Sequence, residues 1–421
     1  MAERWDTGRR ELVRRAAIGA AITGGSVTAL GALSSVSAAA YFARRVLTPD
    51  RQRPDDTEIR EVSEHSVTLG LTADTVVPGR YGLWLDEARG HCRVGDILHV
   101  DEQEGLVRRE LLGVDYGHLA PGFARWNQYY FGSGPEQSLG LPTRHVEVLT
   151  ELGPMPAWVI EAEHRTTRWA IFVHGRGARR EEGLRAVKPL RDSGISVLIP
   201  SYRNDVGAPR GPDGRYNLGL SEWRDIEDAA LYAVQQGARE LILVGWSMGG
   251  AIVLQTLDRS WLTGHVSHVV LDAPVIDWND VLAHHARQHG VPAPVGSLSR
   301  TLMGKRWARR LVGVHDAVDV AQTNWVARAD ELRHRMLLIH SVDDEFVPVG
   351  PSEQLAEGGP SLLGAMLEQG VVDELDLSWS PRLVGGDGPR IVSGAAFDVA
   401  LAPMAMVEAE GTVMGRWRVL R

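Results

Sequence analysis

Two rhythms of apolar and polar positions divide the chain. From about residue 62 to 144, short β-prone runs are separated by glycine, proline and aspartate: Ser66–Leu71, Tyr81–Leu85, Cys92–Val100 and Leu106–Val114. Such runs predict a small β-rich module. Its Trp84, Trp126, Tyr129, Tyr130 and Phe131 are read as core rather than as a ligand surface, and no chemistry is assigned to it. From His145 the pattern becomes apolar run, polar helical stretch, apolar run, which predicts a mainly parallel sheet with helices on both faces over 145–356. Strands are expected at His145–Leu149, Ala157–Ile160, Trp169–Val173, Ile195–Ile199, Leu241–Val244, His268–Leu271 and Met336–Ile339. Between them, Leu220–Gln236 carries Trp223, Ile226, Ala230, Ala233 and Val234 at helical spacing.

The amino-terminal segment, 1–47, has a different character. No charge interrupts Ala16 to Ala43, and a helix of that length at about 1.5 Å per residue would exceed the ~30 Å hydrocarbon core of a bilayer. A single transmembrane helix at about 16–43 is the expectation. Arginines flank it on both sides, Arg9, Arg10, Arg14 and Arg15 before and Arg44, Arg45, Arg51 and Arg53 after, so orientation stays open. The rival is an exported protein cleaved near Val36-Ser37-Ala38. Residues 48–61, rich in Pro, Asp and Arg, read as a solvated linker.

Composition narrows the partners. With 44% hydrophobic and 24% charged residues the chain is ordinary globular material, and a formal charge of -9 argues against nucleic acid. Cys92 is the only cysteine, so neither an intramolecular disulfide nor a thiolate cluster is available, and it is read as a small buried residue.

Gly245-Trp246-Ser247-Met248-Gly249-Gly250 follows one predicted strand and precedes the apolar helical run Ala251–Leu257. Glycines around a serine at such a turn permit a strained backbone that lifts Oγ above the sheet edge. Ser247 is therefore the candidate nucleophile, with the Met248 N–H at the helix start as an oxyanion donor. A second donor is expected from Val173-His174-Gly175-Arg176-Gly177, where the backbone N–H of Arg176 is the candidate and His174 is read as a loop-fixing residue. Asp344, in His340-Ser-Val-Asp-Asp-Glu-Phe-Val-Pro348, is the candidate carboxylate that would orient an imidazole, with Asp343 as its alternative. His284, His285 and His289 offer i,i+4 imidazoles but lack an adjacent carboxylate motif, so no metal is expected.

These motifs resemble the α/β-hydrolase superfamily, in particular its serine-aminopeptidase-like and esterase-like branch, over about 145–356. The resemblance implies acyl transfer on Ser247 without a cofactor, a small-molecule or peptide acyl substrate, and a lid at about 275–332 carrying Trp278, Leu302, Met303, Trp307 and Leu311. It also implies a base histidine one helix and one strand beyond the acid, yet no histidine follows His340. Residues 357–421 instead resemble the end of riboflavin-biosynthesis pyrimidine reductases, through Glu357-Gly-Gly-Pro-Ser-Leu-Leu, Leu383-Val-Gly-Gly-Asp-Gly-Pro-Arg390 and Gly411-Thr-Val-Met-Gly-Arg-Trp-Arg418. That likeness implies a partial α+β fold of dihydrofolate-reductase type, with Gly358 and Gly359 approaching NADPH phosphates only if the fragment is functional.

The expectation is thus a membrane-anchored serine hydrolase of ester or amide bonds, impaired by a missing histidine. The alternatives are an inactive fusion or ligand-binding protein and, further off, an NADPH-dependent pyrimidine reductase. Ser361–Leu367 and Glu374–Ser380 read as a helix and a strand able to fill the vacated edge of the hydrolase sheet.

Overall fold

The computed structural model describes residues 37–49, 53–357, 359–370, 372–379, 398–409 and 412–420. The first element is a helix, α1, over residues 37–47. Most of the expected membrane span lies outside the described residues, but its last part belongs to α1. Ala39, Ala43 and Leu47 recur on one helical face and are fully buried in the main core of the protein. Among the described residues no helix is long and apolar enough to cross a membrane.

A closed barrel follows: β1 (Thr57–Val62), β2 (Ser66–Gly70), β3 (Tyr81–Leu85), β4 (Gly90–Asp101), β5 (Leu106–Tyr116) and β6 (Gly122–Asn127), in the order β1-β2-β5-β4-β3-β6. The expected linker therefore ends early, since Thr57 and Ile59 turn inward while Arg60 faces water, the alternation of a barrel strand. Leu69, Leu83, Val94 and Val107 fill the interior beside Cys92, whose thiol burial pushes up to about 12. Arg109 is also fully buried there. Its guanidinium donates to the carbonyls of Thr75, Val77, Gly79 and Gly95 at 2.7–3.0 Å, so backbone oxygens take the place of a counter-ion. Those bonds pin the loop between β2 and β3.

The helix α2 (Pro135–Leu139) leads into a seven-stranded sheet of order β13-β12-β11-β9-β10-β8-β7. Its strands are β7 (Arg144–Thr150), β8 (Gly153–Ile160), β9 (Arg168–Val173), β10 (Ser196–Pro200), β11 (Glu240–Trp246), β12 (Val266–Asp272) and β13 (Arg335–Ile339). β8 runs antiparallel to β7 and β10, and the pairs from β10 to β13 are parallel. All five residues of central β10 are buried, as a strand covered on both faces requires. On one face lie α4 (Trp223–Gln235) and α1, with Ile226, Ala229, Ala230 and Ala233 inward; on the other lies α3 (Leu184–Asp192). α5 (Met248–Arg259) leaves the end of β11 and is buried along most of its length.

Between β12 and β13, where the resemblance implies a lid, the chain forms α6 (Trp278–Gln288), α7 (Ala293–Gly304) and α8 (Arg309–Val312). Trp278, Leu302 and Met303 pack into the main core, whereas Trp307 and Leu311 point to solvent at 74% and 46% exposure. Beyond β13 come α9 (Gly350–Glu357) and α10 (Gly359–Glu368), then β14 (Glu374–Trp379), β15 (Leu401–Ala409) and β16 (Thr412–Val419). The described part of the tail does not fill the sheet edge. β14 pairs with β16 in a separate antiparallel sheet of order β14-β16-β15, and among the described residues β13 remains the edge strand of the larger sheet.

Candidate active site at the carboxyl edge of the sheet

Strand register brings the candidate residues to one level. Gly245 on β11 pairs with Val173 on β9 and with Leu271 on β12, which in turn pairs with Leu338 on β13. The turns that follow these strands, carrying Gly175–Gly177, Ser247, Ala273 and His340–Asp344, thus leave the same carboxyl edge side by side.

Ser247 has φ 51° and ψ -117° at the start of α5. Its neighbours hold that conformation: its N–H donates to the Asp272 carbonyl at 3.0 Å, and its carbonyl accepts from Gly250 and Val275, each at 3.0 Å. Three backbone bonds offset a sparsely populated dihedral pair. The glycines are required by space. A Cβ on Gly249 would lie 2.0 Å from the Val173 carbonyl oxygen, and one on Gly245 2.7 Å from the Gly249 oxygen. Ser247 is half-buried; its Oγ does not cap α5, and no hydrogen bond engages it among the described residues.

Loop 175–177 lies against this serine, since a Cβ on Gly175 would approach the Ser247 Cβ to 3.2 Å. Its amides are allocated. The Gly175 N–H donates to Glu182 Oε2 at 2.6 Å and the Gly177 N–H to the Tyr216 hydroxyl at 3.1 Å. The Arg176 N–H between them has no acceptor among the described residues. The Met248 N–H opens α5 and belongs to the first helical turn, whose amides have no intrahelical partner. Ser247, Arg176 and Met248 are therefore brought together. Glu182, which sets the loop by taking the preceding amide, was not singled out from the sequence; a carboxylate seven residues beyond the Gly175 turn is too common a signal.

Asp344 shares the sheet edge but is engaged with its own turn. Its Oδ1 accepts from Phe346 and Val347 N–H at 2.8 and 2.9 Å, and its Oδ2 lies 3.5 Å from His340 Nε2. Burial would raise this carboxyl, but His340 and the two amides outweigh it and hold it below its ordinary value. His340, by contrast, is raised: burial would lower it, but Asp344 and the Val347 carbonyl outweigh that. Both its nitrogens are occupied, Nδ1 by Ser352 Oγ at 2.7 Å and Nε2 by the Val347 carbonyl at 2.9 Å. Asp343 takes no part in that network.

His174 does what a loop-fixing residue does. It is buried, stacks on Tyr202 at 4.4 Å, and spends one nitrogen on Asp205 at 2.8 Å and the other on the Gly175 carbonyl at 3.0 Å. Burial lowers its pKa and Asp205 more than restores it. On α6, His284 Nε2 meets the Glu345 carbonyl at 2.9 Å, and His285, lowered by burial and by His284, packs near Phe346. Among the described residues no group of three His, Cys, Asp or Glu is arranged to hold a metal. Gly358 lies outside the described residues, and Gly359 opens α10.

The barrel and the segment before it touch the loop after β9. Arg179 stacks on Trp84 at 5.0 Å, and the Arg53 guanidinium lies beside Gly177.

A sheet of this order, with a strained serine turn on its carboxyl edge, defines an α/β hydrolase. The chain belongs to the alpha/beta hydrolase family, whose model matches residues 170–408, more than half of the 421 residues. The match crosses residues 356 and 357, where the tail was expected to begin. Residues 58–127 match a domain of unknown function (DUF8805). The structure is similar to the Pyrococcus furiosus esterase Pf2001, at 18% identity and TM-score 0.41, over 54% of this chain and 80% of that one. It is also similar to a Mycobacterium tuberculosis puromycin-hydrolyzing peptidase (18%, TM-score 0.39, 73% of this chain and 50% of that one). A third is the Pyrococcus horikoshii acylaminoacyl peptidase (16%, TM-score 0.38, 71% of this chain and 49% of that one). No curated protein sequence matches the chain. Hydrolases of this family act through side chains and backbone amides and call for no cofactor, which leaves NADPH without a part in their chemistry.

Proposed function

We propose that the chain is a serine hydrolase of ester or amide bonds that forms an acyl-enzyme on Ser247. The observation that carries this reading is the Ser247 turn, held at φ 51° by three backbone bonds beside an uncommitted Arg176 amide. In the proposed step Ser247 Oγ attacks the carbonyl carbon, the Arg176 and Met248 amides hold the developing oxyanion, and the alcohol or amine leaves. The Oγ proton passes through water to the departing alcohol or amine, and a second water then attacks the acyl-enzyme to release the acid and restore Oγ–H, because no histidine follows His340 and both nitrogens of His174 and His340 are spent. Losing the base from such a site costs on the order of 10⁶ in kcat, with roughly 10³–10⁴ over water left to the oxyanion donors.

Slow turnover is therefore expected, since Asp344 is paired with His340 and no histidine beyond it serves Ser247. A fluorophosphonate probe should label the full chain slowly and stoichiometrically, with labelling lost in Ser247→Ala. Silence in folded protein would favour the second reading, a non-catalytic ligand-binding protein. The commitment of Asp344 to its own turn supports that alternative.

Membrane attachment belongs to this proposal too. With residues 37–47 packed on the hydrolase, the span is assigned to Ala16–Val36, still about 30 Å at ~1.5 Å per residue. Alkaline carbonate extraction of the expressed chain tests it: release into the supernatant would reject the anchor, and an amino terminus near residue 38 or 39 would indicate cleavage instead.

A further inference from the structure

We propose that α1 is a positioning element of the serine site: through Arg176 and Tyr216, its carboxyl end fixes the backbone of loop 175–177 that faces Ser247. The inference rests on the reading of Ser247 as nucleophile.

A helix end leaves carbonyls without intrahelical partners, and they must find donors. At the end of α1 those donors come from the active-site loops. Arg176 Nε donates to the Val46 carbonyl at 3.2 Å and its Nη2 to the Thr48 carbonyl at 3.0 Å. The Tyr216 N–H donates to the Leu47 carbonyl at 2.8 Å. Arg215 Nη1 reaches Thr48 Oγ1 and, at 3.4 Å, the Arg44 carbonyl. Two of these residues close the circuit onto the serine site. Tyr216 accepts the Gly177 N–H on its hydroxyl, and the Arg176 guanidinium lies over the Tyr216 ring at 5.5 Å.

The residue whose side chain holds α1 is thus the residue whose backbone N–H is left for the oxyanion. Glu182 holds one flank of that amide and Tyr216 the other. Removing α1 frees the Arg176 side chain and one end of Tyr216, and the amide loses the restraints on its direction. Oxyanion stabilisation depends on donors fixed in advance, and a displacement of about 1 Å can cost on the order of 10²-fold.

The experiment uses the full chain with Arg176→Ala, Arg176→Lys, Ala43→Glu and the double variant Ala43→Glu/Arg176→Ala. Ala43 is fully buried under α1, so a carboxylate there undocks the helix without touching the site. Hydrogen exchange of residues 173–183 and the fluorophosphonate labelling rate of Ser247 are measured together. Exchange in 175–178 should rise in Ala43→Glu and in Arg176→Ala while β10 and β11 stay protected. Labelling should fall by about 10- to 100-fold in both. Arg176→Lys should recover part of the rate, and the double variant should fall no further than Ala43→Glu alone, because undocking α1 already releases Arg176. Unchanged exchange of the loop in both single variants, or additive losses of labelling, would overturn the proposal. Should Ala43→Glu not fold, the Arg176→Ala and Arg176→Lys pair decides it by the same two readouts. If the parent chain does not label at all, the nucleophile reading fails, and the exchange result still decides whether α1 holds the loop.

Discussion

Replacing Ser247 by glycine should stabilise the protein relative to replacing it by alanine. Both changes remove Oγ, so lost activity and lost polar contacts cancel between them. What differs is the cost of a Cβ at φ 51° and ψ -117°. A non-glycine residue in so sparsely populated a region costs on the order of 1–3 kcal/mol. Glycine returns roughly 0.5–1 kcal/mol of that through the greater freedom of its unfolded chain. The difference should therefore be about 1 kcal/mol in favour of Ser247→Gly, which for a domain of this size corresponds to roughly 2–4 °C in Tm. Calorimetric melting of the two variants side by side reads it directly. A glycine variant that melts at or below the alanine variant would show that the turn stores no strain, and the argument that the fold holds this serine against its preference would collapse.

Gly249→Ala should act in the opposite direction, because the added Cβ meets the Val173 carbonyl oxygen at 2.0 Å and β9 and α5 must part; a loss of about 3 kcal/mol is expected, read as a lower midpoint in urea. Arg109→Met should lower barrel stability by roughly 2–3 kcal/mol, since the buried carbonyls of Thr75 and Gly95 and the half-buried bonds to Val77 and Gly79 lose their donor; retained exchange protection of β4 and β5 would contradict this. The His340–Asp344 pair makes stability depend on pH. The raised His340 pKa contributes fully below its ordinary 6.5 and is lost as pH rises through the folded value, while the lowered Asp344 pKa contributes above 3.8 and is lost as pH falls through its own. The stability gap between the parent chain and His340→Gln should thus be larger at about pH 5 than at about pH 8, and equal gaps in urea titrations would refute the assignment.

The sheet was legible because its central strands are continuous apolar runs, and the serine turn because only glycine fits around it. The amino-terminal helix was not. Ala39, Ala43 and Leu47 carry no charge whether they face lipid or protein, so composition could not reveal that the hydrolase core covers them. β1 hid in a charged stretch because only Thr57 and Ile59 turn inward. The helix and strand after α9 were visible as elements, but local propensity does not encode which neighbour a strand takes, and β14 takes β16 rather than β13. In the site, Ser247, Arg176 and Met248 could be found from one motif and one loop, whereas Glu182 and Tyr216 act through distances that only the fold creates.

The open flank at β13 carries a practical cost. Leu337 and Ile339 are 56% and 47% exposed, and Val342 and Phe346 continue the apolar surface beyond them. With no neighbour on its outer side among the described residues, this strand offers a ready template for sticking to other chains. Colloidal behaviour at high protein concentration should therefore be governed by these few residues, and a lysine at position 337 is the simplest remedy to build into any preparation.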